Sequence, residues 1–187
     1  MGTPKQLNRF KGFSLIEILL TIAIIAILAL AAFLIYPRVE AGKKARNEAA
    51  NLSIIQTNIR QLQPDRPGDY SALGGGKAGG VLDPGVANLA RVYPSSMNNG
   101  NYTKDAPITS SWGGEVWVAT RPANTTPMGP IQRNRSFGIF YEAVPTSVCN
   151  LLIPLLAGRF HSIWVGNTTE LVLPNGQINT PLLTSAC

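Results

Sequence analysis

The chain has 187 residues, 45% of them hydrophobic, and a formal net charge of +6 from 16 Lys+Arg against 10 Asp+Glu. One histidine and two cysteines are too few for the His/Cys set of a catalytic metal centre, and His161, inside the apolar "GRFHSIWVG", reads as a satisfied strand residue rather than a catalytic base. Beyond residue 50 there are nine basic residues to seven acidic ones, so the positive charge belongs to the N-terminal third and no nucleic-acid footprint is expected on the remainder.

In chain order, Lys5, Arg9 and Lys11 precede an apolar run from Phe13 to Tyr36. At ~1.5 Å per residue this run spans ~36 Å as a helix, enough to cross the hydrocarbon layer. It is longer than a signal-peptide core, and no small-residue cleavage site closes it cleanly before Pro37. The preceding basic residues predict a cytoplasmic N-terminus. One acid, Glu17, lies near the start of the run. A carboxylate at mid-membrane costs ~2.5–3.5 kcal/mol even on lenient scales. Near the end it costs less, and in the first helical turn it gains ~0.3–1 kcal/mol from the helix dipole. Composition alone reads Glu17 as an acid snorkelling to the interface.

Pro37 interrupts the helical pattern and predicts a kink. Beyond it Ala45, Ala49, Leu52, Ile55, Ile59 and Leu62 recur at spacings of three and four. That is an amphipathic stripe, with Lys43, Lys44, Arg46, Glu48, Asn51 and Arg60 off it. The expectation is one helix over residues 13–63, ~75 Å long, apolar all round in its first half and on one side in its second. Residues 64–111 have loop composition, with short helical turns near Val86–Val92. The "GGGKAGG" within them lacks the hydroxyl residue and spacing of a phosphate loop. From Trp112, "EVWVATR", "FGIFYEAV", "HSIWVGN" and "ELVLP" read as strands, and "PTSVCNLLIPLLAG" as a short helix broken at Pro154. Consecutive strands with short links predict an antiparallel sheet over 112–187 packed on the long helix, an α+β head.

"KGFSLIE", a basic leader and a glycine followed by an apolar helix, resembles the processing site of type IV prepilins. The resemblance implies a leader of residues 1–12 that prepilin peptidase cuts after Gly12, N-methylation of the new terminus at Phe13, and a role for Glu17 in assembly. In that family this glutamate pairs with the N-terminal amine of a neighbouring subunit, so a charge costly alone is held by a partner. "SSWGGEV" and "VPTSVCNLL" resemble the heads of type IVb pilins of conjugative and enteric thin pili, whereas the short leader and Phe13 resemble type IVa. Cys149 and Cys187 match the family's C-terminal disulfide, and an even cysteine count outside the cytoplasm agrees with pairing.

The resemblance also implies a pilin fold and a structural subunit, with no catalytic, cofactor-binding or metal-binding residues. Its partners are copies of itself, prepilin peptidase, the inner-membrane pilus assembly machinery and, before assembly, the membrane. It passes from the inner membrane to an extracellular fibre serving adhesion, aggregation, conjugation or motility. A minor pilin or a type II secretion pseudopilin shares these features. A DNA-uptake subunit would need a basic face on the head, and a membrane-anchored enzyme a nucleophile–base set.

Overall fold

The computed structural model describes residues 13–62, 68–70, 84–120, 135–166, 169–173 and 175–187. Residues 1–12 and the "GGGKAGG" segment lie outside the described residues. The chain divides into two compact units, Met1–Val39 and Glu40–Cys187.

Helix α1, Leu15–Gln61, agrees with the expected helix to within two residues at each end, and Pro37 lies inside it without ending it. The described part of the first unit is this helix alone. Its side chains are exposed on every side, from Leu15 at 77% to Phe33 at 79%, and it is long and apolar enough to cross a membrane.

The second unit is the head. Along α1 the buried positions are Ala41, Ala45, Glu48, Ala49, Asn51, Leu52, Ile55 and Ile59. Their spacing of three and four puts one stripe against the head. Two members correct the sequence reading. Glu48 and Asn51 belong to the buried face because hydrogen bonds there satisfy their polar ends. The small residues of the stripe admit helix α4, Thr146–Leu156, at close range. Ala41, Ala45 and Ala49 pack with its Val148, Leu152 and Leu156. Pro154 does not break α4, which runs two residues past it. The bulkier Ile55 and Ile59 contact Tyr93, Met97, Val116 and Val118.

The strands are β1 (Val116–Thr120), β2 (Phe137–Tyr141), β3 (Ile163–Val165) and β4 (Thr169–Val172). Each overlaps a predicted strand. They form two antiparallel pairs, β1–β2 and β3–β4, where one continuous sheet was expected. A cleft of about 600 Å³, reached by Phe140, His161 and Trp164, lies between β2 and β3. The β3–β4 ladder has a register shift at Ile163/Trp164. His161, expected in a strand, is not a strand residue. It sits exposed in a bend ahead of β3.

Three short helices complete the head: α2 (Pro84–Leu89), α3 (Ser95–Asn98) and α5 (Thr180–Ala186). The first begins two residues before the expected turns, while α3 and α5 fall where no helix was expected. The loop between α3 and β1 is tied down by side-chain amides. Asn88 donates to the carbonyls of Asn101 and Thr103, both at 2.8 Å, and accepts from Asn98 Nδ2 at 2.6 Å. At the mouth of the β1–β2 pair Trp112 Nε1 donates to the Glu142 carbonyl at 2.9 Å. Gly114 lies so close to that carbonyl that no side chain fits there. Cys149 on α4 and Cys187 after α5 form a disulfide with Cα atoms 5.8 Å apart. Closing a loop of 38 residues contributes about 4 kcal/mol on the chain-entropy view, and holds α5 onto Ile153, Leu171 and Val172.

Candidate assembly site

The first turn of α1 holds the acid that stands alone in the apolar run. The Ser14 backbone N–H donates to Glu17 Oε2 at 3.2 Å, and the Glu17 and Ile18 N–H groups both return to the Ser14 carbonyl. Ser14-x-x-Glu17 is thus half of a capping box, with the acid at the third helical position satisfying a donor that the helix leaves orphaned. The signal is present in "FSLIE", but in an apolar context the charge is more conspicuous than the spacing. Thr21 adds to the turn by donating to the carbonyls of Ile18 at 2.8 Å and Glu17 at 3.0 Å. Glu17 Oε1 makes no hydrogen bond among the described residues, so the carboxylate keeps an acceptor for an outside donor. Phe13, one residue ahead of the cap, is 84% exposed. Gly12, the other half of the predicted scissile bond, lies outside the described residues.

Beyond Ser14 and Thr21, the described surface around this turn is apolar. Ile16, Leu19, Leu20, Ile22 and Ile25 are each more than half exposed, far beyond what an isolated soluble helix carries. Such a segment needs lipid or other helices around it. Among the described residues no cluster of three or more His, Cys, Asp or Glu could hold a metal.

The head has its own acid. Glu48 is fully buried. Its Oε1 accepts from the Ser111 N–H at 2.6 Å, and its Oε2 from Tyr141 Oη at 3.1 Å and Asn51 Nδ2 at 3.3 Å. Asn51 in turn accepts from Ser96 Oγ at 2.9 Å. One carboxylate thereby joins α1 to α3, to the turn before β1 and to the end of β2. The amphipathic pattern alone could not reveal this, because the partners lie 63 and 93 residues away.

Burial raises the Tyr141 hydroxyl above the ordinary tyrosine range, and the adjacent Glu48 carboxylate raises it further. Burial likewise raises Tyr93. In the unfolded chain both phenols lose their protons near pH 10, while in the folded head they keep them. Above that pH the folded state binds more protons than the unfolded one, so stability falls as pH rises. The expected loss approaches ~1.4 kcal/mol per pH unit for each tyrosine. Urea midpoints of the full chain in detergent, taken from pH 8 to 11, should be flat at first and then decline. Tyr93→Phe should remove about half of the decline.

With the helix and both acids in place, comparison with known families is decisive. Residues 7–33 match the prokaryotic N-terminal methylation motif, and residues 42–187 match the PilS N terminal family. The second match covers most of the chain. The chain belongs to the PilS family of type IV pilins. No curated protein and no solved structure matches it significantly. The family assignment makes this pilin a structural subunit, and it agrees with the long α1 helix and the small antiparallel sheets of an α+β head. The methylation motif implies processing by prepilin peptidase and incorporation into a pilus. An apolar N-terminal helix suits a precursor anchored in a membrane.

Proposed function

We propose that this pilin is inserted in the inner membrane with its N-terminus cytoplasmic, cut between Gly12 and Phe13, N-methylated on Phe13, and polymerised into an extracellular fibre. The leader is Met1–Gly12, the first half of the helix from Phe13 forms the fibre core, and the head lies outside. The observation that carries this reading is the all-round exposure of the apolar first half of α1, whose single acid sits in the first turn. Lipid shields such a surface before assembly and neighbouring helices shield it afterwards. Glu17 pairs with the Phe13 amine of the next subunit. The pair brings two opposite charges together where neither is tolerable alone.

Its partners are other copies of the chain, the peptidase and the inner-membrane assembly machinery. Adhesion, aggregation, conjugative contact and motility belong to the fibre rather than to one subunit.

The test is mass spectrometry of subunits from sheared surface fibres. The expected mass lacks Met1–Gly12 and carries one added methyl on Phe13. Fibres built of subunits that retain the leader would overturn the reading. The share of this subunit in total fibre protein separates a major pilin from a minor one.

A further inference from the structure

The outer face of the β1–β2 pair carries groups that the head does not use. Val116 and Val118 point inward to Ile55 and Ile59, so alternation places Glu115 and the half-buried Trp117 on the other side, while Ala119 beyond them is itself buried. Across the ladder Trp117 pairs with Phe140 and Ala119 with Gly138, and the Glu142 N–H donates to the Glu115 carbonyl at 3.0 Å. Two acids therefore stand directly opposite each other, an arrangement that like charges disfavour. Both are exposed, and neither forms an ion pair among the described residues. Beside them Trp117 and Phe140 stack with ring centroids 5.6 Å apart and planes 6° apart. The Phe140 ring lies over Gly138, where a Cβ would come within 2.9 Å of it. Carboxylates next to a flat aromatic pair make a seat for a guanidinium or ammonium group.

The same chain presents such groups elsewhere. On the exposed side of α1 in the head, Lys43, Arg46, Ala50 and Ile54 follow spacings of three and four. No acid stands among them, and neither Lys43 nor Arg46 forms an ion pair among the described residues. The stripe cannot reach Glu115 and Glu142 of its own chain. Helix α1 packs against the inner face of β1–β2, so the two outer faces look away from each other. The order along each surface also matches. From Arg46 to Ala50 is ~6 Å on a helix, and from the Glu115 level to the Trp117 level is ~7 Å on a strand. One surface runs from cation to small residue, and the other from acids to an aromatic pair.

We infer that the outer face of β1–β2 docks the exposed stripe of α1 from a second copy of this chain, with Arg46 on Glu115 and Glu142 and Ala50 against the Trp117–Phe140 pair. The contact joins two different patches, so repeated head to tail it leaves one of each free and builds a filament wherever its rotation does not close a ring. It rests on the fibre reading and adds the contact between heads to the one between helices.

The test compares fibre yield in cells that assemble the parent chain. Arg46→Glu should lower sheared fibre protein at least tenfold, as should Glu115→Arg with Glu142→Arg. Combining all three changes should restore yield to within about threefold of the parent. The substituted positions are exposed, and precursor abundance with an intact Cys149–Cys187 disulfide checks folding. As an independent measure, Arg46→Cys with Glu142→Cys, treated with a bis-maleimide of about 10 Å reach (two short side chains cannot bridge the span of the original pair directly), should give a ladder of crosslinked multimers in fibres, which neither single substitution gives. Single reversals that leave yield within twofold, a combination that restores nothing, or a missing ladder would overturn the interface. Loss of precursor from the membrane in Arg46→Glu, not rescued by the combination, would assign the stripe to lipid headgroups and also overturn it. Absence of fibres from the parent would instead overturn the fibre reading itself.

Discussion

Glu17→Gln is expected to leave the pilin inserted in the membrane and cleaved, yet unable to build fibres. The capping geometry makes the substitution a clean one. A glutamine oxygen accepts from the Ser14 N–H as the carboxylate does, since glutamine serves as well as glutamate at that position of the box. The start of the helix therefore survives, and only the charge is lost. If Glu17 were an acid snorkelling at the interface, removing its charge from apolar surroundings would be neutral or mildly favourable. If it holds the Phe13 amine of a neighbour, the amine is left desolvated without a counter-charge, at a cost of ~3–5 kcal/mol per contact. Because ~1.4 kcal/mol is already tenfold in an equilibrium, one such defect in every subunit stops a polymer. Comparing membrane and sheared-surface fractions of mutant and parent decides the matter, and a normal fibre yield would return Glu17 to the interfacial reading.

Glu48→Ala should destabilise the head by about 3 kcal/mol or more. The substitution strips acceptors from the Ser111 N–H, the Tyr141 hydroxyl and the Asn51 amide together. A buried donor left without a partner costs ~1–3 kcal/mol, and the vacated volume adds a cavity term. The loss is expected as a lower urea midpoint for the full chain in detergent, and as protease sensitivity of the head. Coupling should be visible as well. Tyr141→Phe should cost at least ~1 kcal/mol less in the Glu48→Ala background than in the parent, because its hydrogen-bond partner is already gone. Additive effects would mean that the carboxylate and the phenol do not depend on each other.

Some of this architecture is legible from the residues alone because its causes are local. The apolar run, the stripe from Ala45 to Ile59 and the four strand segments each express a period of 3.6 or 2 over neighbouring residues. That is why α1, β1, β2, β3 and β4 fall where the pattern puts them. Helix α5 is also signalled locally, by Asn179-Thr180-Pro181 at a helix start, but a seven-residue helix after a strand offers too little periodicity to outweigh loop composition. Pro154 shows the opposite failure. A rule that proline stops helices expects a break, whereas α4 continues past it because Leu152, Ile153 and Leu156 are all held in the core.

The chemistry of the N-terminus is written in contiguous residues. Its leader motif, apolar helix and first-turn acid adjoin one another, and recognising them needs no distant residue of the same chain. The head is different, because there the closed fold sets the outcome. The strands separate into two pairs, His161 lies in a bend, and Glu48 turns from a solvent-side acid into the polar centre of the head. A carboxylate's place depends on which donors the fold brings to it. Those donors come from Ser111 and Tyr141, far along the chain, and only the closed head sets them within hydrogen-bond reach of α1.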